Sequence, residues 1–321
     1  MSKYLIKQLH RTIENEYTRW QNGLKNFNGT TIFHNPDFLS YHQNKFKEHH
    51  IGIYKGEALL GVMPMALIEE NKYVIAKSPY GASYGGPVFT KPLSYKDSTN
   101  IVKNLISYLR SLRVNEVIIT PSLDIFHKNY SDTFILALLE NNFINVNSDI
   151  TSIATLKSKN IEQYNSRSTR ICKKSVLSDF NIVHNANIDH FWVLMDKTFE
   201  KHGTAPTHTK KEFKELHKLF PKDIYASIIY KGKTPLAGIG TINITKQCCI
   251  SFYICQNDEY KELNAQTILI NNLMDKAYEE KFLYFDFGTS SVEMVARENI
   301  FEFKEGFGSS GKFRHSYKLE M

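Results

Sequence analysis

The stretch Ile53-Tyr54-Lys55-Gly56-Glu57-Ala58-Leu59-Leu60-Gly61 returns later in the chain as Ile229-Tyr230-Lys231-Gly232-Lys233-Thr234-Pro235-Leu236-Ala237-Gly238. Aligned on their final glycines, the second copy carries one extra residue. Each copy reads as strand, tight Lys-Gly turn, strand, which is a β-hairpin. The surroundings repeat as well. A further strand follows each hairpin, at 72–77 and 248–255. A long amphipathic helix comes next, at 95–112 and 264–280, and then a short apolar strand, at 116–120 and 283–287. Upstream, helical periodicity is present at 6–25 and 160–177, with second helices at 36–46 and 189–201. Asn35 and Pro36 suit an N-cap and a first helical turn. The second copy adds a helix at 210–219, stopped by Pro221.

An internal repeat of this kind implies two diverged units of one design. Each unit orders helix, helix, antiparallel strands, long helix, strand. The fold class expected is therefore α/β (α+β), with mixed, mostly antiparallel sheets flanked by helices. The units are placed at 1–155 and 156–321, with the strand 313–319 free to pair onto either. A length of 321 residues suits two cores, and 42% hydrophobic with 23% charged residues is an ordinary globular composition. No apolar run approaches the roughly 20 residues of a membrane helix. The first ten residues carry no apolar leader core, so a cytoplasmic location is expected. The net charge of +7 favours phosphate-bearing partners, or is simply a solvated lysine-rich surface. Cys172, Cys248, Cys249 and Cys255 form no CxxC pair, so reduced, buried thiols are expected. Cys172 lies in Arg170-Ile171-Cys172-Lys173-Lys174, where neighbouring cations could lower its pKa.

Three further strings stand out. Phe285-Asp286-Phe287-Gly288-Thr289-Ser290 is followed by Asn299 and by Phe303-Lys304-Glu305-Gly306-Phe307-Gly308. The first unit contains Tyr80-Gly81-Ala82-Ser83-Tyr84-Gly85-Gly86-Pro87. The second contains Arg167 and Arg170, then Phe199 to Pro206 with His202-Gly203-Thr204. The element order resembles the GNAT acyltransferase fold. Two such units with these strings resemble the FemABX family, whose "DFG…FKxxFG" string they share. Lys201 stands where that family usually has an arginine before the histidine. The resemblance implies an N-acyltransferase acting on an amino sugar or cell-envelope precursor. Its acyl donor would be acyl-coenzyme A or aminoacyl-tRNA, with no tightly bound cofactor. It also implies a catalytic role for Lys304.

The chemistry asks for little. A neutral amine attacks an activated carbonyl, an oxyanion develops, and a proton leaves the amine. A donor that is already an ester or thioester makes a covalent enzyme intermediate unnecessary. Lys304 could stabilise the oxyanion or hold donor phosphate, or it could snorkel over Phe303 and Phe307. Asp286 could accept the amine proton, or cap the Gly-Thr-Ser turn. In the loop 78–87, Gly85 and Gly86 would admit a ligand to the backbone, with Tyr80, Ser83 and Tyr84 as hydrogen-bonding partners. Alternatively the loop is a long connection that needs glycine. Arg167 and Arg170, three apart, could clamp a diphosphate or form a solvated helix face. His202 and His208 bracket an interhelical loop, where a histidine can serve as a base near neutral pH. Neither has a carboxylate or cysteine at ligand spacing, so no metal is expected.

The donor signature itself departs from the usual one. A coenzyme A enzyme of this fold carries a glycine-containing phosphate loop before its long helix. Here that place holds Asp258-Glu259-Tyr260-Lys261-Glu262-Leu263-Asn264-Ala265, without glycine and with three carboxylates that would repel phosphate. The reading is divided labour, with the acceptor held mainly by the first unit and the chemistry on the second. The alternative is a non-catalytic duplicated module that binds nucleotide-sugar or nucleic acid.

Overall fold

Across the first hairpin Ile53 faces Gly61 and Tyr54 faces Leu59; across the second Ile229 faces Ala237 and Tyr230 faces Pro235. The two hairpins therefore share one register, with Leu60 and Leu236 bulged out at equivalent places. Gly61 corresponds to Ala237, so the extra residue expected in the second copy is absent. Each two-residue turn opens on a glycine in the left-handed region, Gly56 at φ 60° and Gly232 at φ 58°. This computed structural model describes residues 3–175 and 179–321, except for the side chain of His202. The chain forms two compact units, Met1–Ser148 with Arg314–Met321, and Asp149–Phe313.

In the first unit, Leu5–Leu9, His50–Lys55, Ala58–Met63 and Val88–Phe89 form an antiparallel four-stranded sheet in that order. A second set of strands runs Lys47–Glu48, Ala66–Glu70, Tyr73–Ser78, Glu116–Ile119. Tyr73–Ser78 and Glu116–Ile119 are parallel and are joined through the helix Tyr95–Ser111. Ser94 caps that helix by accepting from the Asp97 amide at 3.2 Å. Its Ile101, Val102, Leu105 and Leu109 form one buried stripe against Ile51, Met63, Val117 and Ile119. The C-terminal strand Ser310–Glu320 brings Tyr317 opposite Ile119 and Leu319 opposite Val117.

In the second unit, Asn181–Val183, Ile224–Lys231, Thr234–Asn243 and Cys248–Gln256 form an antiparallel meander. Tyr284–Thr289 then lies parallel to Cys248–Gln256, paired only from Cys248 to Ile250. Beyond that point the two strands part, with the Ser251 hydroxyl still reaching the Asp286 carbonyl at 3.4 Å. On its other side Tyr284–Thr289 is antiparallel to residues 151–155. The helix Ala265–Glu279 covers this sheet with Leu269, Ile270, Leu273 and Met274. The architecture is thus mixed α/β, with mixed sheets flanked by helices.

Several elements differ from their sequence expectation. The helix expected over 6–25 begins only at Glu14, because residues 5–9 pair with strand His50–Lys55. The helix expected over 36–46 is one short turn, Pro36–Leu39, capped by Asn35. A 3-10 turn, Ser40–His42, continues it, and Gln43 at φ 51° ends it. The helix expected over 160–177 divides into a 3-10 turn, Asn160–Gln163, and the helix Ser166–Ser175. Asn165 breaks it by capping, its side chain accepting from the Ser168 amide at 2.9 Å. Residues 176 and 177 of that expected helix lie outside the described residues.

Candidate functional site

The end of the strand Tyr284–Thr289 is organised around a buried carboxylate. Asp286 is fully buried, and its Oδ1 accepts from Thr151 Oγ1 at 2.6 Å and from the Gly288 amide at 2.7 Å. The second bond caps the turn, where Gly288 sits at φ 76°. Ser152 and Ser290 share a 2.6 Å hydroxyl bond beside it. Thr151 was not singled out from sequence. Its signal is a set of polar residues, Asp149, Thr151 and Ser152, buried in the strand Ile144–Thr155.

The turn presents two carbonyls to Lys304. Its Nζ donates to Gly288 O at 2.8 Å and to Thr289 O at 2.7 Å. The helix Glu298–Glu305 carries this lysine inward, leaving it only 5% exposed, so it does not snorkel at the surface. Phe303 packs edge-on against Phe307, and Phe307 stacks on Phe287. Burial lowers the Lys304 pKa from 10.5 to about 8, opposed by the attraction of Asp286. The third N–H of Lys304 has no acceptor among the described residues.

Phe303 and Phe307 also line a cavity of about 630 Å³. Arg167 and Lys261 reach it, as do Glu262 and Glu302, so its charged lining is balanced. Lys304 stands behind this lining rather than in it. The cavity touches Asn264 and Gln266 at the start of helix Ala265–Glu279. Asn264 adopts φ 54°, a left-handed conformation usually given to glycine and tolerated by asparagine. The preceding carboxylates are less repulsive than the sequence implied. Asp258 pairs with Lys201 at 2.6 Å and Glu259 with Lys197 at 3.1 Å. Lys201 thus has a defined place, holding this segment to the helix Ile188–His202.

The remaining candidates are not gathered at this point. Arg170 opens onto a separate depression, of about 650 Å³, away from the lining that holds Arg167. His208 is buried; its amide donates to Tyr253 Oη at 2.9 Å, and its Nδ1 lies 2.8 Å from the same oxygen. Phe213 and Phe252 close around it. The side chain of His202 lies outside the described residues. Cys172 is buried, and burial pushes its thiol up to about 11, so the neighbouring cations do not activate it. All four cysteines are free and buried.

In the first unit the loop 78–87 is tightly packed. Tyr80 and Tyr84 are each 2% exposed, while Ser83 is half-buried. Tyr80 Oη donates to Glu48 at 3.3 Å, and burial raises its pKa further. Three histidines hold the loop: His50 at the Tyr80 hydroxyl, His42 at the Gly81 carbonyl and His34 at the Gly86 carbonyl. Gly86 has φ 72°, and a Cβ on Gly85 would lie 2.5 Å from Pro79 N. Both glycines therefore meet backbone demands of the fold itself. Among the described residues, no group of three or more His, Cys, Asp or Glu side chains is placed to hold a metal ion. No described helix is long and apolar enough to cross a membrane.

Comparison with known proteins fits this architecture. Residues 170–304 match the acetyltransferase (GNAT) domain family. No curated protein matches the chain by sequence. By structure the chain is similar to FemX, with a TM-score of 0.74 and 11% identity over 98% of this chain and 97% of that one. A tandem GNAT protein from the clavulanic acid biosynthesis pathway gives a TM-score of 0.59 at 8% identity, over 99% of this chain and 98% of that one. L-PGS from Bacillus licheniformis gives 0.59 at 8% identity, over 94% and 90%. The two units therefore belong to the GNAT class of fold, in the tandem arrangement seen in these structures. The family match falls on the second unit, and the likeness to FemX extends the same fold over both units.

Proposed function

We propose that the protein transfers an acyl or aminoacyl group directly to an amine of an amino sugar or cell-envelope precursor. The observation that carries this reading is Lys304, a buried ammonium with an unspent donor, fixed at the end of strand Tyr284–Thr289 beside Asp286. The activated donor occupies the cavity of about 630 Å³ at the start of helix Ala265–Glu279. Helix N-termini suit anions, and Arg167 and Lys261 add two cations. Glu262 and Glu302 offset them, so the charged side chains of the lining balance. Lys304 supplies positive charge as the oxyanion forms. Asp286 keeps that charge in place through the Gly288 turn and by direct attraction. The proton leaves the amine to solvent or to the departing group.

The test is acyl transfer from acetyl-coenzyme A or aminoacyl-tRNA onto a panel of UDP-amino sugars. Lys304→Ala and Asp286→Asn should each lower kcat by ~10²-fold, since each removes part of the fixed charge that stabilises the transition state from behind the cavity lining. Wild-type turnover should decline as pH rises through about 8, where Lys304 loses its proton. Transfer that survives both substitutions would remove these residues from the chemistry. An absence of turnover with every donor, alongside tight nucleotide-sugar binding, would favour the non-catalytic reading.

A further inference from the structure

The helix Ser166–Ser175 carries Arg167, Arg170, Lys173 and Lys174 and no carboxylate. All four are exposed, and none forms an ion pair or a side-chain hydrogen bond among the described residues. In the same unit Lys197, Lys201, Lys210, Lys214 and Lys276 pair with carboxylates, whereas Lys211, Lys218 and Lys222 are scattered surface lysines without an ion pair among the described residues. What sets this helix apart is four cations on one short segment; the dipole favours Lys173 and Lys174 in the last turn, but not the crowding of like charges. Arg170 stands three residues from Arg167 and from Lys173, and four from Lys174, all neighbouring positions where like charges repel. Arg167 also lies in the first turn, where the helix dipole disfavours a cation. The sequence therefore retains a local cost that a bound anion would offset.

A shallow, open depression lies beside this helix. It has a volume of about 650 Å³ and is lined by Tyr164, Ser166, Thr169, Arg170, Lys173 and Lys174. Three cations and two aliphatic hydroxyls line it, with no acidic side chain among its described lining residues. Arginine offers a planar fork and lysine a point charge, and both suit phosphate oxygens. We infer that this depression is a phosphate-binding site, separate from the cavity that holds Arg167, and that it takes the pyrophosphate or phosphate group of a larger ligand. It is independent of the acyl-transfer reading, since it is defined by binding alone.

The full-length chain is titrated with sodium pyrophosphate by calorimetry at fixed ionic strength. Two triple variants are compared with it, Arg170→Gln/Lys173→Gln/Lys174→Gln and the control Lys211→Gln/Lys218→Gln/Lys222→Gln. The site triple should weaken binding at least tenfold, and the control by less than twofold, with melting temperatures unchanged. Equal weakening in both triples would show a net-charge effect and overturn the proposal, as would unaltered binding in the site triple. UDP, coenzyme A and a short RNA hairpin ending in CCA then compete with pyrophosphate. Displacement by one of them identifies the source of the phosphate. Displacement by none would also overturn the site as a ligand-binding feature.

Discussion

Lys304 illustrates how a single side chain can be costly in one respect and useful in another. Its ammonium sits inside the second unit on two carbonyls, with a pKa lowered by burial to about 8. The unfolded chain holds the same proton up to its ordinary 10.5. Between those values the unfolded state binds more protons, so stability rises with pH across that window. The penalty is fully present below about 8 and amounts to on the order of 3 kcal/mol. Urea unfolding of wild type and Lys304→Met from pH 7 to 10.5 measures it. The difference between the two should shift in favour of wild type as pH rises, and a constant difference would contradict the lowered pKa. Gly85 provides a second residue-scale expectation. Its missing Cβ leaves room for the Pro79 backbone, 2.5 Å from where that atom would stand. Gly85→Ala should therefore destabilise by about 2 kcal/mol, in the range of overpacking, read as a lower melting temperature.

Among the elements, the helix Lys210–Leu219 was bounded from sequence at both ends, because both of its boundaries are local chemistry. Thr209 and Glu212 form a reciprocal capping box, with the Thr209 amide donating to Glu212 at 2.8 Å and the Glu212 amide to Thr209 at 3.2 Å. Thr209→Ala should cost about 1 kcal/mol, measurable by chemical denaturation. Thr209→Ser should recover most of it. The strand Leu5–Leu9 shows the opposite case. Its apolar spacing is compatible with a helix, and its pairing partner lies some forty residues away, so the segment's own residues do not decide between the two. The helix Ser166–Ser175 was legible as basic and helical, yet Arg167 and Arg170 line different hollows. Spacing along one helix places residues on a face without deciding which neighbours meet that face.

For the molecule as a whole, the last eight residues belong to the first unit rather than to the one that precedes them in the chain. Tyr317 and Leu319 are buried in the first unit's core. A chain ending at Phe313 should therefore lose hydrogen-exchange protection at residues 116–119, while strands Ile224–Lys231 and Thr234–Asn243 keep theirs. Uniform loss across both units would show instead that they unfold as one. The pairing was open in the sequence because an alternating strand at a chain end can join any free edge.

What the sequence determined by itself rests on short-range physics. The duplicated hairpins, the capped and periodic helices and the FKxxFG string are all written within a dozen residues, where turn geometry, side-chain period and capping act. The tertiary structure alone decided which polar groups meet. It set Thr151 against Asp286 across more than a hundred residues, turned Lys304 inward and closed His208 within aromatic rings. It also joined Lys201 to Asp258 and left the cations of Ser166–Ser175 without an ion pair among the described residues. The reason is that burial and charge pairing depend on distance in space, and only packing converts distant positions in a chain into hydrogen-bonding neighbours.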